Sequence, residues 1–356
     1  CIRDSYYGDD LSSAIYTDGD TTNPGVLPSD TGVIFSTGRV SSFANAGANN
    51  TAGDTTTDTS GINGNAAFNA AAGQATFDAS YLEFEFTPEP GQTSINIEFR
   101  FYSEEYNEYV YSNFNDIALV QLDGVTQPIT VGSGEISVNG INDAGTYNPN
   151  FGSEANDPNP GNGQFDSANP NLYVDNSSGS FATEMDGFTV TLSLDIPVTP
   201  GVTQTLLIGI ADVGDSSYDS SIVIASNNVP DTSDTDPIAT DDTGISTWGS
   251  NPRTVDILAN DTDPTAQTLT ITQINGVDVV SGQTVTLATG QDVTLNPNGT
   301  ITLVNTGLQT GLTSFSYTIE DTDGTTDSAF VTFDAAPICY CDGTLIETPR
   351  GPRPIE

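Results

Sequence analysis

Apolar and polar residues alternate with a period of two along most of this chain, a spacing that suits strands rather than helices. Leu82-Glu83-Phe84-Glu85-Phe86 and Ile95-Asn96-Ile97-Glu98-Phe99-Arg100-Phe101 are the clearest runs. Successive side chains on a strand point to opposite faces, so each run buries one face and wets the other. Further strands are expected at 117–122, 188–196, 205–211 and 221–225, with one short helix at 66–75. Beyond these, residues 227–237 (NNVPDTSDTDP) are polar, proline-bearing and without an apolar face, as in a linker. Short strands then recur at 254–258, 269–274, 278–280, 284–287, 292–295, 300–304, 314–319 and 329–333. That density fits an immunoglobulin-like sandwich. The expected fold is all-β: a β-sandwich over 1–229, a linker at 230–236, a smaller Ig-like β-sandwich over 237–335, and a separate tail at 336–356.

Charge narrows the function. The chain carries 48 acidic residues, six basic residues and no histidine, for a formal net charge of −42. A compact body so charged repels itself unless positive charge is supplied. The arginines, at 3, 39, 100, 253, 350 and 353, are too few and too scattered. Phosphate recognition needs clustered basic residues, so nucleic acid is a poor partner, and so is an anionic membrane. No run approaches the roughly 18 apolar residues of a membrane span. Calcium is the expected cofactor, at several sites, because hard cations take oxygen ligands and the acids fall in Asp/Asn/Gly-rich turns. An acidic surface of this kind also suits salty water. The start, Cys1-Ile2-Arg3-Asp4, lacks the basic and apolar parts of a signal peptide. Three cysteines allow one disulfide with one thiol left over.

Two clusters in the first domain are candidate metal sites. Residues 102–116 (YSEEYNEYVYSNFND) offer Glu104, Glu105, Glu108, Asn115 and Asp116. Residues 211–219 (ADVGDSSYD) offer Asp212, Asp215 and Asp219. Solvated loops and Asx turns account for the same residue types. These stretches resemble the choice-of-anchor L domain of bacterial surface proteins. Gly32 to Gly38 (GVIFSTG), SEEYNEYV, the FND after it, Met185-Asp186-Gly187-Phe188 and IADVGDSSYDS occur in family order over 6–229. The resemblance implies a secreted protein of the bacterial cell surface.

Residues 237–335 resemble the bacterial Ig-like or cadherin-like modules of secreted adhesins, through Ala239-Thr240-Asp241-Asp242, the VDILANDTD run at 255–263 and FSYTIED at 315–321. In the calcium-dependent modules of that kind, junction carboxylates stiffen the linker. Asp241, Asp242, Asn260, Asp261 and Asp263 are the candidates here, and ordinary turn chemistry explains them equally well. The tail, from Cys339-Tyr340-Cys341-Asp342-Gly343-Thr344 to Pro349-Arg350-Gly351, resembles the opening of a Hint (hedgehog/intein) domain. By that resemblance Cys339 aligns with the nucleophile. The chain lacks the histidine such a domain needs, so no self-processing is expected of it. A disulfide among Cys1, Cys339 and Cys341 is the alternative.

Enzymatic readings are weak. Asp30-Thr31-Gly32 and Asp242-Thr243-Gly244 mimic the paired loops of aspartic proteases but fall in different domains. Glu104 and Glu105 are adjacent, and on a strand they would point to opposite faces, unlike a glycosidase pair. Without histidine, Ser–His–Asp and Cys–His chemistry is excluded. The expected function is non-catalytic: cations order acidic loops that adhere to a glycan, a cell surface or copies of the same chain. The alternative is a structural subunit that polymerises into a fibre or layer by strand addition.

Overall fold

The computed structural model describes residues 3–23, 25–43, 56–57, 59–106, 109–110, 112–142, 169–226, 236–248, 251–306, 311–336, 345–346 and 353–354. The first part of the chain runs β1 (Arg3–Tyr7), β2 (Ser13–Tyr16), α1 (Gly19–Thr22), β3 (Gly32–Ser36), α2 (Val40–Phe43) and α3 (Ala66–Ala72). The long strands β4 (Thr76–Phe86) and β5 (Ser94–Ser103) follow, then β6 (Ile117–Leu122), β7 (Val125–Thr126), β8 (Ile136–Ser137) and α4 (Val138–Asn142). It closes with β9 (Tyr173–Asp175), β10 (Gly187–Thr189), β11 (Leu192–Pro197), β12 (Gln204–Val213) and β13 (Ser220–Ala225).

Two sheets form a sandwich. One has the order β1-β4-β12-β6-β7 with β8 on β6; the other has β2-β3-β13-β5-β10-β9 with β11 on β5. Alternation decides which residues meet between them. Phe99 and Phe101 of β5, Ile222 of β13 and Phe35 of β3 face Ala118, Val120 and Leu122 of β6 and Leu206, Ile208 and Ile210 of β12. The intervening residues Leu207, Ala211 and Val213 lie on the outer face, under α3 and its buried Phe68. That helix begins where the Asn65 side chain accepts from Ala67 N at 2.8 Å, and stops at Gly73 with φ 70°. The run expected at 188–196 is broken: β10 and β11 both pair with β5, and between them Val190 N bonds to Leu172 O at 3.0 Å.

The second sandwich has β14 (Asp242–Trp248), β15 (Arg253–Val255), β16 (Thr270–Ile274), β17 (Val277–Asp278), β18 (Thr284–Thr286), β19 (Gln291–Leu295), β20 (Ile301–Asn305), β21 (Gly311–Glu320) and β22 (Thr326–Ala336). Its sheets are β14-β22-β21-β16-β17 and β15-β20-β19-β18, closed over Phe315, Tyr317, Val331 and Phe333. The opening strand β14, which sequence alternation does not reveal, runs parallel to β22. In the tail β23 (Leu345–Ile346) pairs with β24 (Arg353–Pro354). Cys1, Cys339 and Cys341 lie outside the described residues.

The two sandwiches touch. Phe330 of β22 is 2% exposed and packs into the core of the first sandwich. Asn171 donates to Thr313 Oγ1 and Ser314 O, both at 3.1 Å, and accepts from Thr289 N at 3.0 Å.

Candidate functional site

At one end of the first sandwich the apolar core gives way to oxygen. On β12 the inward residues Leu206, Ile208 and Ile210 are followed at the same spacing by Asp212. Read backwards, the inward residues of β6 lead to Asp116. Phe99 and Phe101 lead to Ser103, Phe35 leads to Thr37, and Ile222 leads back to Ser220. All five of these polar residues are buried, Asp116 at 1% and Asp212 at 2% exposure. Five neighbouring strands thus end in one layer of hydroxyl and carboxyl groups.

Hydrogen bonds knit this layer together. Asp116 accepts from Ser220 Oγ at 2.6 Å and from Val213 N at 2.9 Å, and Ser220 Oγ also reaches Ser103 Oγ at 2.8 Å. Burial raises the Asp116 carboxyl to about 7, against the pull of the Ser220 and Val213 bonds. Asp212 is pushed up as well, first by burial and then by the charge of Asp116. Its Oδ1 is buried without a hydrogen-bond partner. Asp219 lies beside the layer and accepts from Thr57 N at 3.1 Å and from the Thr57 hydroxyl. Burial raises it to about 6, although the Thr57 bonds hold it down. Gly38 packs so closely on the Asp219 carboxylate that a Cβ there has no room. Glu104 and Glu105 are also buried, in the turn after β5, with Glu104 N bonded to Asp219 O at 3.1 Å. Because β5 stops at Ser103, strand alternation does not set these two glutamates apart.

The other candidates have different places. Asn115 accepts from Asn139 N at 2.7 Å, and Asp215 caps its own turn through Ser217 N at 2.9 Å. Glu108 lies outside the described residues. In the second domain Asp263 accepts from Thr265 N at 2.7 Å and Gln267 N at 3.0 Å, an Asx turn. Asn260 donates to Thr240 O at 2.8 Å, and Asp241 accepts from Phe330 N at 2.9 Å. Asp261 accepts from Thr240 N at 2.8 Å and from Tyr317 at 3.0 Å. Burial and the Asp261 charge raise half-buried Asp242 to about 7, and burial raises Asp261 to about 6. Among the described residues no three Asp, Glu, Cys or His side chains already converge to hold an ion.

Sequence reading missed Thr37, Thr57, Ser103 and Ser220. For Thr37, Ser103 and Ser220 the signal was available: each lies one step of two beyond a core residue. Thr57 has none, because it meets Asp219 from 162 residues away.

A model described as the choice-of-anchor L domain matches residues 8–229, and one described as a bacterial Ig domain matches residues 233–334. No curated protein matches the chain. Among solved structures, one similar chain is the M60 catalytic domain with the CBM51-1 and CBM51-2 domains from Clostridium perfringens ZmpB. The identity is 12%, covering 73% of this chain and 19% of that one, at a TM-score of 0.17. Another is the Agl-KA catalytic domain, at 13% identity over 68% of this chain and 30% of that one, with a TM-score of 0.22. These scores carry no argument, and the chain spans less than a third of either neighbour's length. The two matched domain types are surface-associated, non-catalytic modules. No helix among the described residues is long and apolar enough to cross a membrane. By the first match, which covers more than half of its residues, the chain belongs to the choice-of-anchor L domain family.

Proposed function

We propose that this chain is a calcium-ordered adhesion module on the outside of a bacterial cell. The observation that carries the reading is the buried pair Asp116 and Asp212, with Asp212 Oδ1 lacking a hydrogen bond. Two carboxylates without water are costly unless they are protonated or meet a positive charge. The groups that act on the pair are hydroxyls, an amide and further carboxylates. A hard cation relieves this at neutral pH, and every donor in the layer is the oxygen that calcium takes. Asp116 and Asp212 would hold the ion, with Thr37, Ser103 and Ser220 supplying hydroxyls and with Asp219, Glu104 and Glu105 adding charge nearby. In the second domain Asp242 and Asp261 are the corresponding pair.

Adhesion follows from what such an ion would order. Tyr109 packs on Phe114 at 5.5 Å and on Tyr218 at 5.2 Å between ring centroids, and all three are partly exposed. Tyr109 and Phe114 come just before Asp116, and Tyr218 sits in the turn between Asp212, at the end of β12, and Asp219. Amphipathic rings beside acidic and hydroxyl groups suit a glycan on a neighbouring surface. Tyr106, by contrast, is fully buried core. The fibre alternative has its own support: β2 is an edge strand that exposes Ile15 at 81%, and such an edge is a template for strand addition. We read the tail as the opening of a Hint-type domain, on the run from Cys339 to Gly351.

The test is a calcium titration by calorimetry on the wild type and on Asp212→Asn. Heat of binding in the wild type that is lost in the variant supports the reading. Equal responses in both would remove Asp212 from any site, and no heat in either would refute calcium binding. Retention on sugar columns by the wild type but not by Tyr218→Ala separates glycan adhesion from self-assembly.

A further inference from the structure

In the second domain β14 and β22 run parallel, while the other described strand pairs are antiparallel. They are also its first and last strands, so the chain enters the domain along β14 and leaves along β22. Asp242 pairs with Val331 near the entry, and Ser246, Thr247 and Trp248 pair with Asp334, Ala335 and Ala336 near the exit. At about 3.3 Å per residue these points lie roughly 15–20 Å apart. β14 is an edge strand, bonded to β22 alone among the described strands. β22 is held on its other side by β21, from Gly311 opposite Ala335 to Glu320 opposite Thr326. A pull between entry and exit therefore slides β14 along β22 instead of lifting it away. Sliding loads every rung at once, whereas lifting breaks the rungs in turn. A slip of one residue also turns half-buried Ile245 and buried Thr247 toward solvent and Ser246 inward.

Side chains pin the point of entry. Ala239 N donates to Asp327 Oδ2 at 2.7 Å, Thr240 N to Asp261 Oδ1 at 2.8 Å, and Phe330 N to Asp241 Oδ1 at 2.9 Å. Asn260 and the Tyr317 hydroxyl both donate to Thr240 O, at 2.8 Å and 3.1 Å. Ile238 and Thr262 exchange backbone bonds in both directions, at 2.7 Å and 3.0 Å. Two of these partners, the Asp327 carboxyl and the Phe330 amide, belong to β22 itself. They carry the β14–β22 contact past Asp242 by side-chain bonds, toward the linker. The acids of the junction thus hold the incoming backbone, and a pull on it meets these bonds together with the ladder.

We propose that the second domain is a tension-bearing link: a pull between the first domain and the chain beyond Ala336 loads the β14–β22 ladder in shear, and the domain stays folded at forces that would peel its strands apart one by one. Forced unfolding is governed by the unfolding barrier rather than by equilibrium stability. In shear that barrier is crossed in a short slide that breaks all rungs together, so the same energy is reached only at a larger force. Tension of this kind arises wherever the first domain holds a partner, as in the adhesion reading. The resistance itself needs neither that reading nor calcium, because it resides in the strand order and in hydrogen bonds within the second domain.

The test is single-molecule force spectroscopy on the full chain in chelator, with Cys1→Ser, Cys339→Ser and Cys341→Ser and with handles on pairs of new cysteines. Thr240→Cys with Asp334→Cys pulls the start of β14 against the end of β22, in shear. Ser246→Cys with Asp334→Cys pulls straight across one register pair of the same ladder. Leu312→Cys with Asp334→Cys does so across the antiparallel β21–β22 pair. All four positions are exposed, so the fold tolerates the handles. At one loading rate the shear pair should unfold at a force several-fold above either crosswise pair. The three variants should share one melting temperature, since they differ in the direction of pull and not in stability. A shear force equal to or below the crosswise forces, at matched melting temperatures, would overturn the link.

Discussion

Asp212 stands where another isoleucine would have continued the core of β12, and that substitution of charge for methyl groups defines the candidate site. If the Asp116–Asp212 pair awaits a cation, then replacing Asp212 with Asn should have two opposite effects. In chelator at neutral pH the variant should melt higher than the wild type, because one of two like charges is gone. With calcium it should gain less than the wild type does, and differential scanning calorimetry reads both. The pH dependence carries the same sign. Asp116 near 7 and Asp219 near 6 lie above the ordinary value of 3.8. Their contribution to stability is complete below that value and is lost as pH climbs through the raised ones. Calcium-free protein should therefore weaken between pH 4 and 7, by at most about 1.4 kcal/mol per pH unit for each titrating carboxyl. Urea unfolding in chelator measures this, and a stability that rises over that range contradicts it. Gly38 marks the tightest approach in the site: Gly38→Ala should displace the Asp219 carboxylate from Thr57 and cost about 1–3 kcal/mol by overpacking. The sequence makes Asp116 and Asp212 legible as inward residues once their strands are placed. It does not separate them from Asp215 or Asp263, which cap turns, because the same side chain serves both uses and only burial tells them apart.

At the scale of elements, alternation carries most of the fold, and its failures have local causes. β4 and β12 change register between Ile210 and Asp212, where β4 holds an extra residue and Asp78 takes φ 45°. A bulge of this kind twists the strand end and re-aims side chains beside a site. Gly61 permits it, since a Cβ there would come within 2.6 Å of the Asp78 backbone. No periodic pattern announces such a bulge. The break at Val190 was equally hidden, because Val190 itself is apolar and buried and differs only in its bond to Leu172. The helix was easier, since Asn65 and Gly73 frame an alanine-rich turn. Its anchor is testable: Phe68→Ala should cost about 3–5 kcal/mol, as expected for a fully buried aromatic ring, and loosen α3 from the outer face of the sheet. Hydrogen exchange would localise that loss to residues 65–73, and uniform exchange across the sheet would argue against it.

For the whole molecule, the net charge of −42 makes the medium part of the structure. Simple salt screens surface charges, so it should raise the melting temperature of the calcium-free protein, whereas a buried site is screened much less. The joint between domains was not legible in the sequence. The linker reads as a spacer, while Asn171 meets Thr313 from 142 residues away and Phe330 looks like any strand residue. Asn171→Ala should uncouple the domains and split one thermal transition into two, with little loss of strand signal by circular dichroism. The most direct test of the calcium reading is a thermal melt with parallel light scattering, in calcium and in excess chelator. A calcium-ordered module should lose melting temperature markedly on chelation while its particle size stays that of single chains. Identical melting temperatures in calcium and chelator would contradict it and leave the buried Asp116–Asp212 pair as a proton-sharing contact alone.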